Sequence, residues 1–156
     1  MENNKLYSVL INAVIANEGK ILILQKRLGR KHRSENWTIP RCRVENSQND
    51  TEVFDIIEKT LIKDIRREVG VDINNNKWFI ANNTSRHSEG HIELELVFLC
   101  EYQNGTAKAL EDTINLAWIS PRELNNYEFP QNIKNYIAKG FSLLPYMIRH
   151  KPVSRK

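Results

Sequence analysis

From Val53 to Val69 an apolar side chain returns at every fourth position: Val53, Ile57, Leu61, Ile65 and Val69, with Phe54 and Ile62 beside the stripe. A four-residue period is that of a helix burying one face. It predicts a helix over Asp50–Val69, capped at its start by Asp50 or Thr51 and stopped by Gly70, which tolerates the left-handed conformation of a helix end. Downstream, Ile92–Tyr102 changes to a period of two. Ile92, Leu94, Leu96, Phe98, Cys100 and Tyr102 fall on one face; Glu93, Glu95 and Glu101 share the other with Val97 and Leu99. A chain holding both patterns has to pack a helix against a sheet.

The remaining segments fit that frame. Tyr7–Ala16 is rich in Val and Ile and reads as a buried strand; Asn17-Glu18-Gly19 is a turn and Ile21–Lys26 a second strand, so a hairpin is expected. Arg27–Asn36 reads as a polar, basic loop. Trp37–Pro40 is expected to be extended, because proline disfavours helix at the residue before it. Asn74–Asn76 reads as a loop, Trp78–Ala81 as a short strand, Asn104–Gly105 as a hairpin turn and Leu116–Ile119 as a strand. Pro121–Leu124 opens a short helix, and Pro130–Lys139 is a second long helix with Gly140 after its end. Phe141–Ile148 is apolar and suited to cover the core or a partner. The expected organisation is a tail (1–6), one domain (7–140), then an apolar segment and basic tail (141–156). The strands and helices do not alternate strictly, which points to a mixed sheet between helices.

At 156 residues the chain has the length of one domain, and 40% hydrophobic and 27% charged residues are ordinary for a globule. No apolar run approaches the ~20 residues needed to span a bilayer, so no membrane association is expected. The polar Met1–Lys5 segment does not resemble a signal peptide, and the expected location is the cytoplasm. Cys42 and Cys100 make neither a disulfide framework nor a zinc set. The net charge of +4 is carried by the last eight residues, which hold Arg149, Lys151, Arg155 and Lys156 and no acid. A solubilising tail is the plain reading and a nucleic-acid-binding tail the alternative. A second basic cluster lies inside the domain: between Lys26 and Arg43 there are seven bases and one acid, Glu35.

No glycine-rich nucleotide loop and no serine nucleophile elbow is present. The four histidines show no metal-ligand spacing. The stretch Trp-Thr-Ile-Pro-Arg-Cys-Arg-Val-Glu (37–45), followed by Lys-Asp-Ile-Arg-Arg-Glu-Val-Gly-Val (63–71), resembles the Nudix family, hydrolases of nucleoside diphosphates linked to another group. The family box runs glycine, five residues, Glu, seven residues, then Arg-Glu-aliphatic-any-Glu-Glu-any-Gly-aliphatic. It usually follows Trp-x-Leu-Pro-Gly-Gly-Lys-Val-Glu. Gln25-Lys26-Arg27 at the end of the second strand and Trp118-Ile-Ser-Pro-Arg-Glu-Leu124 extend the likeness over about residues 7–140. The resemblance implies a Nudix-type α/β/α sandwich with a mixed sheet.

The box is altered. Its two glycines fall on Arg41 and Cys42, its first Glu on Gln48, its Arg on Lys63 and its next Glu on Asp64. Of the Glu-Glu pair the first is Arg67 and the second survives as Glu68. Between Gln48 and Lys63 lie 14 residues where the family has seven. By the resemblance, Glu68, Asp64 and Glu95 are the catalytic candidates. Asp64, Glu68, Glu45 and Glu93 are the candidates for Mg²⁺ or Mn²⁺. Arg27, Arg41, Arg43, Lys63 and Arg67 are the candidates for substrate phosphates. Residues three and four apart share a helix face, so Arg67 sets a cation between Asp64 and Glu68 where the family sets a carboxylate. Weak metal binding is therefore expected. Lys63 keeps a charge but loses the bidentate fork of arginine. Cys42 reads as a spent glycine position or, between Arg41 and Arg43, as a reactive thiol. Three functions follow: a divergent, slow hydrolase of a nucleoside diphosphate derivative; an inactive domain sensing a nucleotide or phosphorylated ligand; or an interaction domain using the basic tail and Phe141–Ile148. A homodimer is compatible with each.

Overall fold

The computed structural model describes residues 7–27, 37–45, 52–87 and 90–149. Among them are strands β1 (Tyr7–Asn17), β2 (Lys20–Lys26) and β3 (Arg41–Arg43), helix α1 (Ile56–Val69), strands β4 (Asp72–Arg86), β5 (Ile92–Asn104) and β6 (Thr113–Ile119), a 3-10 helix (Pro121–Asn126) and helix α2 (Gln131–Arg149). The sheet order is β4-β5-β1-β2-β6, with β3 paired to β1. β1 and β5 run parallel; the other pairs are antiparallel. This is a mixed sheet with a helix on each face.

β1 is buried without a break from Leu10 to Ala16 because both of its faces are covered. Ile11, Ala13 and Ile15 join the cluster holding Leu61, Ile65 and Val69 of α1. Val14 and Ala16 join the cluster holding Ile133, Tyr136 and Ile137 of α2. The β1–β2 hairpin turns at Glu18 and Gly19, both with positive φ, the geometry whose twist suits a two-residue turn. Only Ala16↔Ile21 and Asn17↔Lys20 pair across it. Beyond that the strands part and the segment from Trp37 enters between them. Leu24 and Thr38 exchange backbone hydrogen bonds at 2.8 and 2.7 Å, and Ala13 N–H donates to Pro40 O at 2.9 Å. The insertion continues as β3, which sets Cys42 opposite Ile11.

α1 begins at Ile56, later than the apolar period predicts. Asp55 is left-handed at φ 55°, which breaks the helical dihedrals. Val53 therefore precedes the helix and Phe54 is 69% exposed. The proposed caps Asp50 and Thr51 lie outside the described residues. The stripe holds from there on. Leu61, Ile65 and Val69 are fully buried, and Ile57 packs at the cluster's margin. Each such burial contributes about 1.5–3 kcal/mol. Gly70 ends the helix at φ 73°, its N–H donating to Arg66 O at 3.0 Å.

Three further expectations are corrected. Asn74–Asn76 lie within β4, where the register slips between Ile73 and Lys77; an edge strand accommodates the extra residues as a bulge. Asn104–Gly105 does not form a hairpin, since β6 pairs with β2. Gly105, at φ 97°, lies so close to the end of α1 that a Cβ there would fall 2.7 Å from Gly70 O. The chain then follows the helix end, with Lys108 and Leu110 N–H donating to Val69 O and Glu68 O at 2.9 and 3.1 Å. Finally, α2 does not stop at Gly140 but continues to Arg149. That glycine serves packing: a Cβ would meet Val14 Cγ1 at 2.7 Å and Ile21 Cδ1 at 3.3 Å. Phe141, Leu143 and Leu144 are consequently helical and pack on the α2 cluster. No helix among the described residues is long and apolar enough to cross a membrane.

Candidate functional site

A cavity of about 580 Å³ opens between α1 and the rim of β3. Five basic residues line it (Arg41, Arg43, Lys59, Lys63 and Arg67) with three acids, Glu45, Asp64 and Glu68, and the uncharged Val53, Ile56 and Thr60. Seven sequence candidates thus meet there: Arg41, Arg43, Glu45, Lys63, Asp64, Arg67 and Glu68. The helix brings the last four together because its buried stripe, Leu61-Ile65-Val69, leaves 63, 64, 67 and 68 on the other side.

Two of the cavity's three carboxylates, Asp64 and Glu68, are engaged internally. Arg67 Nη2 lies 3.2 Å from Asp64 Oδ1, and Arg67 Nε is 3.8 Å from Glu111 on the loop beyond β5. Lys26 Nζ, from the end of β2, donates to Glu68 Oε1 at 2.9 Å. Glu68 Oε2 is buried and has no hydrogen-bond partner. Lys59 and Lys63 make no ion pair with another described residue.

Glu93 and Glu95 do not line the cavity. They lie on the α2 side of β5 and are buried, at 7% and 4% exposure. Each holds a β3 arginine. Arg41 Nη2 donates to Glu95 Oε1, and Arg41 Nε donates to Asn12 Oδ1 at 2.9 Å. Tyr136 of α2 donates its hydroxyl to Glu95 Oε2 at 2.8 Å. Burial first, then the hydrogen bond and charge of Glu95, push the Tyr136 phenol up to about 12. Arg43 Nη2 donates to Glu93 Oε2 at 3.2 Å, and Ser8 Oγ donates to the same oxygen at 3.4 Å while bonding His91 Nε2 at 2.8 Å. Arg27 is exposed and apart from the cavity; its backbone N–H donates to Asp112 O at 2.7 Å.

The reactive-thiol reading of Cys42 is overturned. β3 turns Cys42 to the α1 side and both arginines away from it, so the thiol is buried in the α1 core. Burial, then the charges of Asp64 and Glu68, push its pKa well above the ordinary thiol range. A thiol held protonated is a poor nucleophile.

Sequence reasoning missed Lys26, Lys59, Asn12 and Tyr136. The signal for Lys26 was present: Leu22 and Leu24 face α1, and Lys26 has the same parity on β2. Tyr136 and Asn12 left no comparable sign, since their roles depend on where Arg41 lands.

Comparison with known proteins agrees with this architecture. The family profile described as NUDIX domain matches residues 11–139. Among solved structures, the E. coli ORF135 protein is similar at 19% identity and a TM-score of 0.69, covering 94% of this chain and 96% of that one. A MutT NUDIX hydrolase from Burkholderia pseudomallei is similar at 16% identity and 0.65, covering 86% and 98%. An ADP-ribose pyrophosphatase from Streptococcus suis is similar at 16% and 0.61, covering 88% and 91%. No curated protein matches the sequence. With the profile spanning most of the chain, the protein belongs to the Nudix hydrolase family.

Nudix hydrolases generally use divalent metal ions, so the donor set has to be weighed against one. A divalent ion needs several oxygen ligands converging on one point. Among the described residues no group of three or more His, Cys, Asp and Glu side chains is arranged to hold a metal. Asp64 and Glu68 face Arg67 and Lys26, and Glu93 and Glu95 face Arg43 and Arg41, which leaves Glu45 and the unpartnered Glu68 Oε2, fewer oxygens than a divalent ion gathers. As paired here, these residues do not fit the metal.

Proposed function

We propose that the cavity binds a nucleotide-type ligand through its diphosphate, with basic side chains meeting the phosphate oxygens directly in place of metal ions. One observation carries this reading: each of Asp64, Glu68, Glu93 and Glu95 is ion-paired to a cation of the chain, while the cavity wall has more bases than acids. A unit charge pair at 4 Å is worth about 4 kcal/mol at an effective dielectric near 20, and a divalent ion doubles that repulsion from each neighbouring cation. Lys63 and Lys59, without partners among the described residues, are the readiest phosphate contacts, and Arg67 and the β3 arginines complete the rim. The likeness to an ADP-ribose pyrophosphatase makes ADP and ADP-ribose the first ligands to try.

The test is calorimetric titration of ADP, ADP-ribose, nucleotide sugars and nucleoside triphosphates, with EDTA and with Mg²⁺. Binding that persists in EDTA and weakens with salt is expected. Binding that requires Mg²⁺ would overturn the reading.

A second reading, slow metal-assisted hydrolysis, draws on the family and on the unpartnered Glu68 Oε2. Its test is product release from the same panel with Mg²⁺ and Mn²⁺, for the natural chain and for Arg67→Glu. Turnover by the natural chain equal to that of the variant would favour it.

A further inference from the structure

The two box carboxylates that survive on α1 differ in how their cations arrive. Arg67 reaches Asp64 from three residues along the same helix, a neighbour that helix geometry supplies without tertiary structure. Lys26 reaches Glu68 across 42 positions of sequence, so that contact exists only because of the fold. β2 is regular up to its end. The register slip against β6 passes from Gln25↔Asn115 to Lys26↔Thr113, which puts the extra residue, Ile114, on β6. The inward alternation of Leu22 and Leu24 therefore extends to Lys26 and aims it at α1. Its side chain is 29% exposed and that of Glu68 13%, so solvent screens the pair only in part.

We infer that Lys26 is a resident cation of this site, holding Glu68 against divalent metal as Arg67 holds Asp64. The inference rests on the reading of the cavity as a metal-independent anion site and names the residue that makes it so. Glu68 Oε1 is committed to an ammonium. Its other oxygen is buried and unpartnered. The helix face that presents carboxylates to metal in the family is thereby neutralised from two directions, once by its own sequence and once by β2. Lys26 acts on Glu68 and is a positioning residue.

The experiment is titration of the full chain with MnCl₂ in the absence of nucleotide, read by calorimetry and by the electron paramagnetic resonance of free Mn²⁺. The natural chain is expected to bind more weakly than about 1 mM, below the range of dedicated oxygen sites. Lys26→Met should tighten binding at least about tenfold by removing one neighbouring positive charge. Lys26→Arg, which retains the charge, should show no gain. Glu68→Gln placed in the Lys26→Met background should abolish the gain and so locate the ion. Near-ultraviolet circular dichroism checks folding, and Lys26→Gln is read by the same criteria should Lys26→Met not fold.

Three results overturn the inference: micromolar Mn²⁺ affinity in the natural chain, no gain in a folded Lys26→Met or Lys26→Gln, or a gain that survives Glu68→Gln. Titration of ADP in EDTA on the same samples separates this from the functional reading. A Mn²⁺ gain without ADP binding supports the role of Lys26 and refutes the nucleotide site. ADP binding without a Mn²⁺ gain does the reverse.

Discussion

Two polar regions flank β3, and they use the same chemistry for opposite ends. On the α2 side, Arg41, Glu95, Asn12 and Tyr136 close a buried network in which Glu95 uses both oxygens. On the α1 side, Asp64, Arg67, Lys26 and Glu68 are also paired, but Asp64, Arg67 and Glu68 border an open cavity and sit beside Lys59 and Lys63. The division follows from strand alternation over three residues. Arg41 and Arg43 go to one face and Cys42 to the other. The buried network holds β3 to β1, β5 and α2, with Asn12 Nδ2 left without a hydrogen-bond partner inside it, whereas the solvated one is left to meet a ligand. The first should be costly to damage, the second cheap to damage and responsive to ligand.

The largest effect is expected where that contrast is drawn in stability. Glu95→Ala leaves the Arg41 guanidinium and the Tyr136 hydroxyl without their shared partner and should cost about 3–5 kcal/mol in urea unfolding. Asp64→Ala removes a helix-surface pair whose arginine is about half exposed and should cost less than about 1 kcal/mol. Equal costs would erase the distinction between the two regions.

The α2 face gives a second measure. At Gly140 a Cβ would sit 2.7 Å from Val14 Cγ1, the side chain of a fully buried residue on the central strand. Gly140→Ala should destabilise by about 1–3 kcal/mol through overpacking. A neutral or stabilising result would mean that Val14 yields to the added methyl and that the helix does not need a glycine to approach the sheet.

How far the sequence reached can be judged from the same residues. The helix–sheet frame was legible because Leu61, Ile65 and Val69 and the alternation of Ile92–Tyr102 are periodic, and burial enforces period. The cavity was legible in part, because Asp64, Arg67 and Glu68 meet by helix geometry alone. The start of α1 was not, since a left-handed Asp55 leaves no trace in an apolar count. Nor was the meaning of Gly140, because a glycine that ends a helix and one that lets a helix touch a sheet are the same letter. The partners of Glu93 and Glu95 were hidden for a deeper reason: they depend on β3 entering between β1 and β2, a long-range event.

Alkaline titration sharpens the contrast further. The Tyr136 phenol is raised from about 10 to about 12 in the folded chain. Between those values the unfolded chain has lost a proton that the folded chain keeps, so stability falls as pH rises. The contribution is fully present below about pH 10 and is lost as the pH passes about 12. Tyr136→Phe should lower stability at pH 7 by about 1–2 kcal/mol through the lost hydrogen bond to a charged acceptor. It should also flatten the decline between pH 10 and 12, measured as the melting temperature across that window. An unchanged slope would show that Tyr136 is not what the α2-side network protects.

The smallest effect belongs to the cavity and is the one that assigns it a purpose. Lys63 is exposed, stands one residue before Asp64 and is tied to no described acid, so Lys63→Ala removes no contact that holds the fold together. Its melting temperature should stay within error of the natural chain, as for most surface changes. If phosphate oxygens meet the ammonium directly, ADP affinity in EDTA should fall by about five- to tenfold, equivalent to about 1–1.4 kcal/mol. The salt dependence should weaken at the same time, because one charge has left the contact. Lys63→Arg should keep most of the affinity, since the cation remains. A full loss of binding on Lys63→Ala would place more of the energy on one lysine than a rim of five cations implies. No loss at all would move the phosphates toward Arg41 and Arg43, where the α2-side network, and not the helix, would set the ligand's position.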